Sequence, residues 1–160
     1  MNIWIKMATC VALTIMPVFA LAEGEKNVLS IGGSVTEIIY ALGEGDRVIA
    51  RDTTSSYPTE VEALPDVGYM RALSPEGVLA VAPGMIISED GAGPVETIEV
   101  LQAADIPFVT VPDEYSAEGI VAKIMTVGEA LDVEPAAMAL ATDVSLKLQS
   151  AEAAALERAG

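Results

Sequence analysis

Histidine is absent from the sequence and cysteine occurs once, as Cys10. No Ser-His or Cys-His pair can therefore be assembled for nucleophilic catalysis. A closed zinc site built from imidazoles and thiolates is excluded on the same ground. Positive charge is scarce as well: 8 Lys and Arg stand against 24 Asp and Glu, for a formal net charge of −16. That balance argues against nucleic acid or an anionic membrane surface as a partner, because both require cations. It suits simple solubility and equally a partner with a basic surface. Aromatic residues are only 4% of the chain, so a tyrosine in a loop carries more information than usual. Apolar residues make up 52%, enough to build a core and to set aside disorder for the chain as a whole.

The first 22 residues read as an export signal rather than as fold. Lys6 supplies the positive charge, Met7 to Leu21 is an uncharged and mostly apolar run, and Ala20-Leu21-Ala22 provides the small-x-small cleavage pattern. The apolar run is shorter than the roughly 20 residues a spanning helix needs, so cleavage after Ala22 is expected rather than membrane anchoring. Cys10 lies inside the run instead of at its end, which disfavours lipid attachment. Cleavage removes Cys10 and Lys6, leaving a mature chain without thiol or disulfide and one unit more acidic.

The mature part alternates short β-branched runs with helical stretches. Val28 to Ile31 is expected as a buried strand stopped by Gly32-Gly33, and Ser34 with Glu37 three residues on forms a capping-box pattern for a helix ended by Gly43. Arg47 to Ala50, Met85 to Ser88 and Pro107 to Val111 supply three further strands. Pro58 opens a short helical segment to Leu64; Ser74-Pro75-Glu76 starts another helix, Pro94 another, and Ser116 a long amphipathic one with Ile120, Ile124, Val127 and Leu131 on one face. Strand–helix alternation of this kind implies a parallel sheet with helices on both faces. Glu134 to Ala159 is a single alanine-rich helical stretch of roughly 36–40 Å, longer than such a sheet could cover. It either crosses toward a second lobe that lies beyond Gly160 or ends at Gly160 as a capping glycine.

Few segments carry chemistry. Gly32-Gly33-Ser34 follows a strand and opens a helix, but lacks both the G-x-G-x-x-G pattern and a P-loop lysine, so a tight turn is the better reading. Glu89-Asp90 could serve acid-base chemistry, although adjacent acids in so acidic a chain fit a solvated loop better. Gly68-Tyr69-Met70-Arg71 combines an aromatic with a rare cation, on a loop expected at one edge of the sheet. A phenolate can ligate ferric haem iron, although a free tyrosine titrates near pH 10 and needs iron and a nearby cation to ionise. On these residues alone an exposed loop aromatic stays the stronger alternative for Tyr69.

Three segments resemble the periplasmic haemin-binding proteins of bacterial haem-uptake ABC transporters. That branch belongs to the helical-backbone class of solute-binding proteins, which also holds cobalamin and siderophore binders. The segments are Leu29 to Gly43, Asp52 to Pro58 and Leu64 to Ala80; the first is class-wide and the third specific to the haem branch. The resemblance runs from about Asn27 to the end. It implies two α/β lobes joined by a long helix, with ligand held between them. In this chain that gives a signal peptide over 1–22, an N-terminal α/β lobe over 23–133, and the start of the inter-lobe helix over 134–160, with the second lobe absent.

The resemblance further implies that Tyr69 is an axial ligand to haem iron, and that Arg71 contacts that tyrosine or a haem propionate. Glu76 corresponds to the acid that docks on arginines of the permease. Haem is then a transported ligand rather than a catalytic cofactor, and the protein a periplasmic carrier, not an enzyme, with no nucleic-acid partner and no membrane insertion after cleavage. Two alternatives stand beside it: a siderophore or cobalamin binder of the same class, and an exported α/β enzyme using Glu89 or Asp90.

Overall fold

A computed structural model describes residues 27–159; the expected signal peptide lies outside the described residues. Strands β1 (Val28–Ile31), β2 (Val48–Arg51), β3 (Met85–Glu89) and β4 (Phe108–Val111) alternate with helices α1 (Gly33–Ala41), α2 (Pro75–Ala80), α3 (Val95–Gln102) and α4 (Ala117–Ala130), and α5 (Glu134–Ala159) closes the described chain. The strands form one parallel sheet in the order β2-β1-β3-β4. The expected α/β lobe and long final helix are both present, the helix spanning roughly 39 Å over its 26 residues.

β1 is buried along its whole length because helices cover both faces of the sheet. On one side Val28, Val35, Ile39, Ile87, Val127 and Leu131 join α1, α4 and α5 to the sheet. On the other, Leu29, Ile31, Val78, Ile86 and Leu101 pack α2 and α3 against it. Each fully buried Leu or Ile contributes about 1.5–3 kcal/mol relative to exposure. The register between β1 and β2 slips between Val28 and Leu29, so Val48 pairs with Val28 but Ala50 with Leu29. One extra residue in β2 interrupts the period-two pleat there and sends Val48 to one core and Ala50 to the other, in step with the alternation of Val28 and Leu29 on β1.

The helix boundaries follow their local chemistry. Ser74 caps α2 by accepting from the Gly77 N–H at 3.1 Å, and Ser116 caps α4 by accepting from the Gly119 N–H at 2.9 Å. At the end of α1, Gly43 takes φ +84 while Gly43 and Glu44 donate back to the Tyr40 and Ile39 carbonyls, the paired bonds of a Schellman stop. The segment after Pro58 winds as a 3₁₀ turn over Thr59–Ala63.

The capping box expected at Ser34 is not formed. α1 starts two residues earlier than that cap implies, at Gly33, with Gly32 as its N-cap at φ +106 and no side-chain cap. Asp52 instead satisfies the Gly32 N–H, through Oδ1 at 2.9 Å. Ser34 is thereby moved into the first turn, free to face another element, and Glu37 is left exposed.

Gly32 is required twice over, by its positive φ and because a Cβ there would come 2.7 Å from the Glu89 Cβ. Gly32→Ala is expected to cost about 1–3 kcal/mol, read as a lower urea midpoint at unchanged m-value; an unaltered midpoint would contradict this packing.

Candidate ligand-binding site

Chain connections leave β1 and β3 in opposite directions, β1 toward β2 and β3 toward β4. In an open parallel sheet the carboxyl ends of such neighbouring strands frame a crevice, the usual ligand position. Here β1 runs into the Gly32-Gly33 turn and β3 ends at Glu89. Asp52, fully buried after β2, binds this turn to the next loop: besides Gly32 it accepts from the Ser55 hydroxyl at 2.8 Å and the Thr54 N–H at 2.9 Å. Ser55 continues to Thr36 and Thr36 to Ser30, so a chain of buried hydroxyls stiffens the crevice floor.

Glu89 crosses the crevice. Its Oε1 accepts from the Ser34 hydroxyl at 2.9 Å and from the Lys123 ammonium at 2.5 Å. Lys123, only 8% exposed, also donates to Asp113 Oδ1 at 2.5 Å and to the Ser34 hydroxyl at 3.3 Å. One ammonium from α4 thus joins the ends of β1, β3 and β4. Burial disfavours its charge, yet the hydrogen bonds to Asp113 and Glu89 prevail and raise its pKa above the ordinary lysine value. The same hydrogen bond from Lys123 holds Asp113 below the usual carboxylate range, against the opposing effect of burial.

Beside this cluster lies a cavity of about 540 Å³, floored by Glu89, Asp113 and Lys123 and walled by Glu114, Tyr115 and Ile120. A Cβ at position 119 would strike the Glu114 carbonyl, so Gly119 is what lets the loop after β4 fold onto the start of α4.

The Gly68–Arg71 segment lies at the β2 edge, as expected. An isolated parallel bridge joins Arg51 to Asp66, and the Thr53 N–H donates to the Gly68 carbonyl at 3.0 Å. Met70 is buried, while its carbonyl accepts from Gly93 and the Gly93 carbonyl accepts from Leu73. Tyr69 is therefore held on an anchored backbone with its side chain 49% exposed. Arg71 is exposed and makes no hydrogen bond or ion pair among the described residues. Glu76 stands exposed in the first turn of α2, where it favours the helix N-terminus. Tyr69 and Arg71 thus share one loop and Glu76 begins the helix after it, with no hydrogen bond linking the three.

Glu89 and Asp90 part company. Asp90 sits in the loop, but Glu89 is the last residue of β3 and is hydrogen-bonded and largely buried, not part of a solvated loop. The pairing of Glu89 with Lys123 and Asp113 was not visible in sequence; in the structure Lys123 lies four residues from both Gly119 and Val127 on a buried stripe of α4. Ile120, expected on that buried face, instead walls the cavity at 37% exposure. Among the described residues no group of three or more His, Cys, Asp or Glu is arranged to hold a metal ion, and no helix is long and apolar enough to cross a membrane.

A model of the periplasmic binding protein family matches residues 28–158. Among solved structures the chain is similar to the periplasmic heme-binding protein RhuT of Roseiflexus sp. RS-1 in its apo form. The TM-score is 0.76 and the identity 36%, over 78% of this chain and 48% of that one. Among curated proteins it is 34% identical over 107 residues to an uncharacterized ABC transporter substrate-binding lipoprotein, YvrC, of Bacillus subtilis strain 168, covering 66% of this chain and 34% of that protein. It is 33% identical over 87 residues to the vitamin B12-binding protein of Yersinia pestis strain Pestoides F, covering 54% of this chain and 31% of that protein. The chain spans about a third of the length of these curated relatives and about half that of the solved structure.

The Lys123 cluster generates a stability prediction. Removing the ammonium leaves Glu89 uncompensated, so Lys123→Met is expected to cost about 2–4 kcal/mol at pH 7, somewhat below the 3–5 of a fully buried pair. Asp113 has its pKa lowered by folding, so its contribution is present above the unfolded value near 3.9 and is lost as pH falls through the folded value. Lys123 has its pKa raised, so its contribution is lost only above about pH 10.4. Urea unfolding of parent and variant is expected to show a gap that is constant from about pH 5 to 9 and shrinks below pH 4. A gap independent of pH down to 3 would contradict the ion-pair account.

Proposed function

The chain belongs to the periplasmic binding protein family, and from that premise we propose that it captures ferric haem in the carboxyl-end crevice and delivers it to an ABC permease. The observation that carries this reading is Tyr69: a half-exposed tyrosine on a backbone anchored at both sides, two residues from an unpaired arginine. Ferric iron stabilises a phenolate ligand, and the Arg71 guanidinium adds to that by opposing protonation. An exposed Arg71 can also reach a propionate. The similarity to a heme-binding protein at 36% identity supports the same ligand.

In this reading α5 is the start of the helix that joins this lobe to a second one, and the protein works in the periplasm after removal of residues 1–22. Glu76 meets basic residues of the permease, and the excess of acidic over basic residues favours approach to such a surface. A cobalamin ligand is the second reading, favoured by the vitamin B12-binding relative at 33% identity. It gives Tyr69 no role as a ligand, since cobalt in cobalamin requires no phenolate.

Titration with ferric haemin and, separately, with cyanocobalamin distinguishes the two. The parent is expected to give a tyrosinate-type ferric spectrum that Tyr69→Phe abolishes, with an affinity loss at least matching the roughly 10–100-fold that partners outside the ligand shell cost. Haemin binding that survives the substitution would keep the carrier and remove Tyr69 as ligand. Binding of cyanocobalamin in place of haemin would transfer the function to the second reading.

A further inference from the structure

We infer that Asp66 is a positioning residue: its carboxylate fixes the glycine joint before Tyr69 and so sets where the phenol oxygen stands for ligation. The inference rests on the reading of Tyr69 as the iron ligand and adds what aims it.

Among the described residues the Tyr69 hydroxyl makes no hydrogen bond, and the side chain is half exposed. Its position is therefore inherited from the backbone on either side. On the following side that backbone is tied down. The Tyr69 carbonyl accepts from the Ala72 N–H at 2.7 Å, and the Met70 carbonyl from the Gly93 N–H at 2.9 Å. On the preceding side stands Gly68 at φ +100, with nothing within 4 Å of where a Cβ would lie. The torsion calls for glycine, but no packing holds it, and glycine is the least restricted joint a chain can have.

Asp66 supplies the missing restraint. Its Oδ1 accepts from the Gly68 N–H at 2.8 Å and from the Thr53 hydroxyl at 3.2 Å. Its Oδ2 accepts from Arg51 Nη1 at 3.0 Å. The Thr53 N–H holds the other side of the joint, donating to the Gly68 carbonyl at 3.0 Å. Arg51 Nη1 donates in turn to the carbonyl of Asp52, the buried acid of the crevice floor, at 3.1 Å. Asp66 and Arg51 thus link the loop bearing Tyr69 to that floor, beyond the backbone bridge at the β2 edge.

The Asp66 side chain remains 37% exposed, and ion pairs so placed contribute little to global stability. A metal ligand, by contrast, must be held to within about 0.5 Å of its productive position. Slack that unfolding barely registers is enough to weaken ligation.

The parent, Asp66→Ala, Asp66→Asn and Asp143→Ala are each titrated with ferric haemin and unfolded in urea. Asp143→Ala removes the acid of another exposed ion pair, with Lys147 on α5, and controls for charge. Asp66→Ala is expected to weaken haemin binding about tenfold, the lower end of what residues orienting a metal ligand contribute. It is also expected to lower the tyrosinate-type fraction of the spectrum at saturating haemin, with a urea midpoint near the parent's. Asp66→Asn keeps an oxygen for the Gly68 N–H and is expected to recover most of that fraction; Asp143→Ala leaves it unchanged. Unaltered affinity and spectrum in Asp66→Ala would overturn the positioning role while leaving Tyr69 as ligand. So would weaker binding that tracks a lowered urea midpoint with the saturated spectrum intact, the mark of a purely stabilising residue. A parent that takes up no haemin, or a Tyr69→Phe variant that keeps the tyrosinate spectrum, would overturn the ligand reading as well.

Discussion

A lysine ammonium that is nine-tenths buried demands compensation, and at the end of this sheet Lys123 receives it from Glu89 and Asp113 at once. Much of the crevice follows from that demand. Glu89 must lie across the turn after β1, so position 32 has no room for a Cβ. Ser34 must turn its hydroxyl toward Glu89 and cannot cap its helix. The loop carrying Asp113 must come close to α4, which Gly119 permits. A single ammonium thereby fixes the relative heights of three strand ends, the floor on which a ligand would rest.

The second half of the floor is organised by Asp52, which serves two loops through both carboxylate oxygens and feeds a chain of buried hydroxyls. Side chains with no remaining freedom line the bottom, while Tyr57, Tyr69 and Tyr115 stand exposed on the loops above. A base already fixed by its hydrogen bonds adds little to the ordering cost of binding. Met70 is buried next to an exposed Tyr69, so the anchor and the contact are neighbours on one loop pinned by Gly93.

Most of the fold was legible because its signals are local. Four short β-branched runs, Ser-Pro-Glu before α2, Ser116 before α4 and the unbroken alanine-rich α5 each state their structure within a few residues. Ser34 misled because the S-x-x-E pattern is equally local, whereas the partner that decided its conformation is 55 residues away. Lys123 and Asp113 were passed over for the same reason: a lone lysine in an amphipathic helix reads as solvated, and only the tertiary approach of β3 and β4 buries it. Tyr69 and Arg71 stood out as an aromatic beside a scarce cation, their roles and that of Glu76 came from family resemblance, and the fold sets them on one loop and the helix start after it without deciding what they touch.

The central claim is that ligand is held at the carboxyl ends of the strands by Tyr69. Anomalous diffraction at the iron edge from crystals grown with ferric haemin tests it directly. The account predicts one iron peak over the crevice, within bonding distance of the Tyr69 hydroxyl. An iron peak elsewhere, for instance in the groove between α4 and α5, would contradict it.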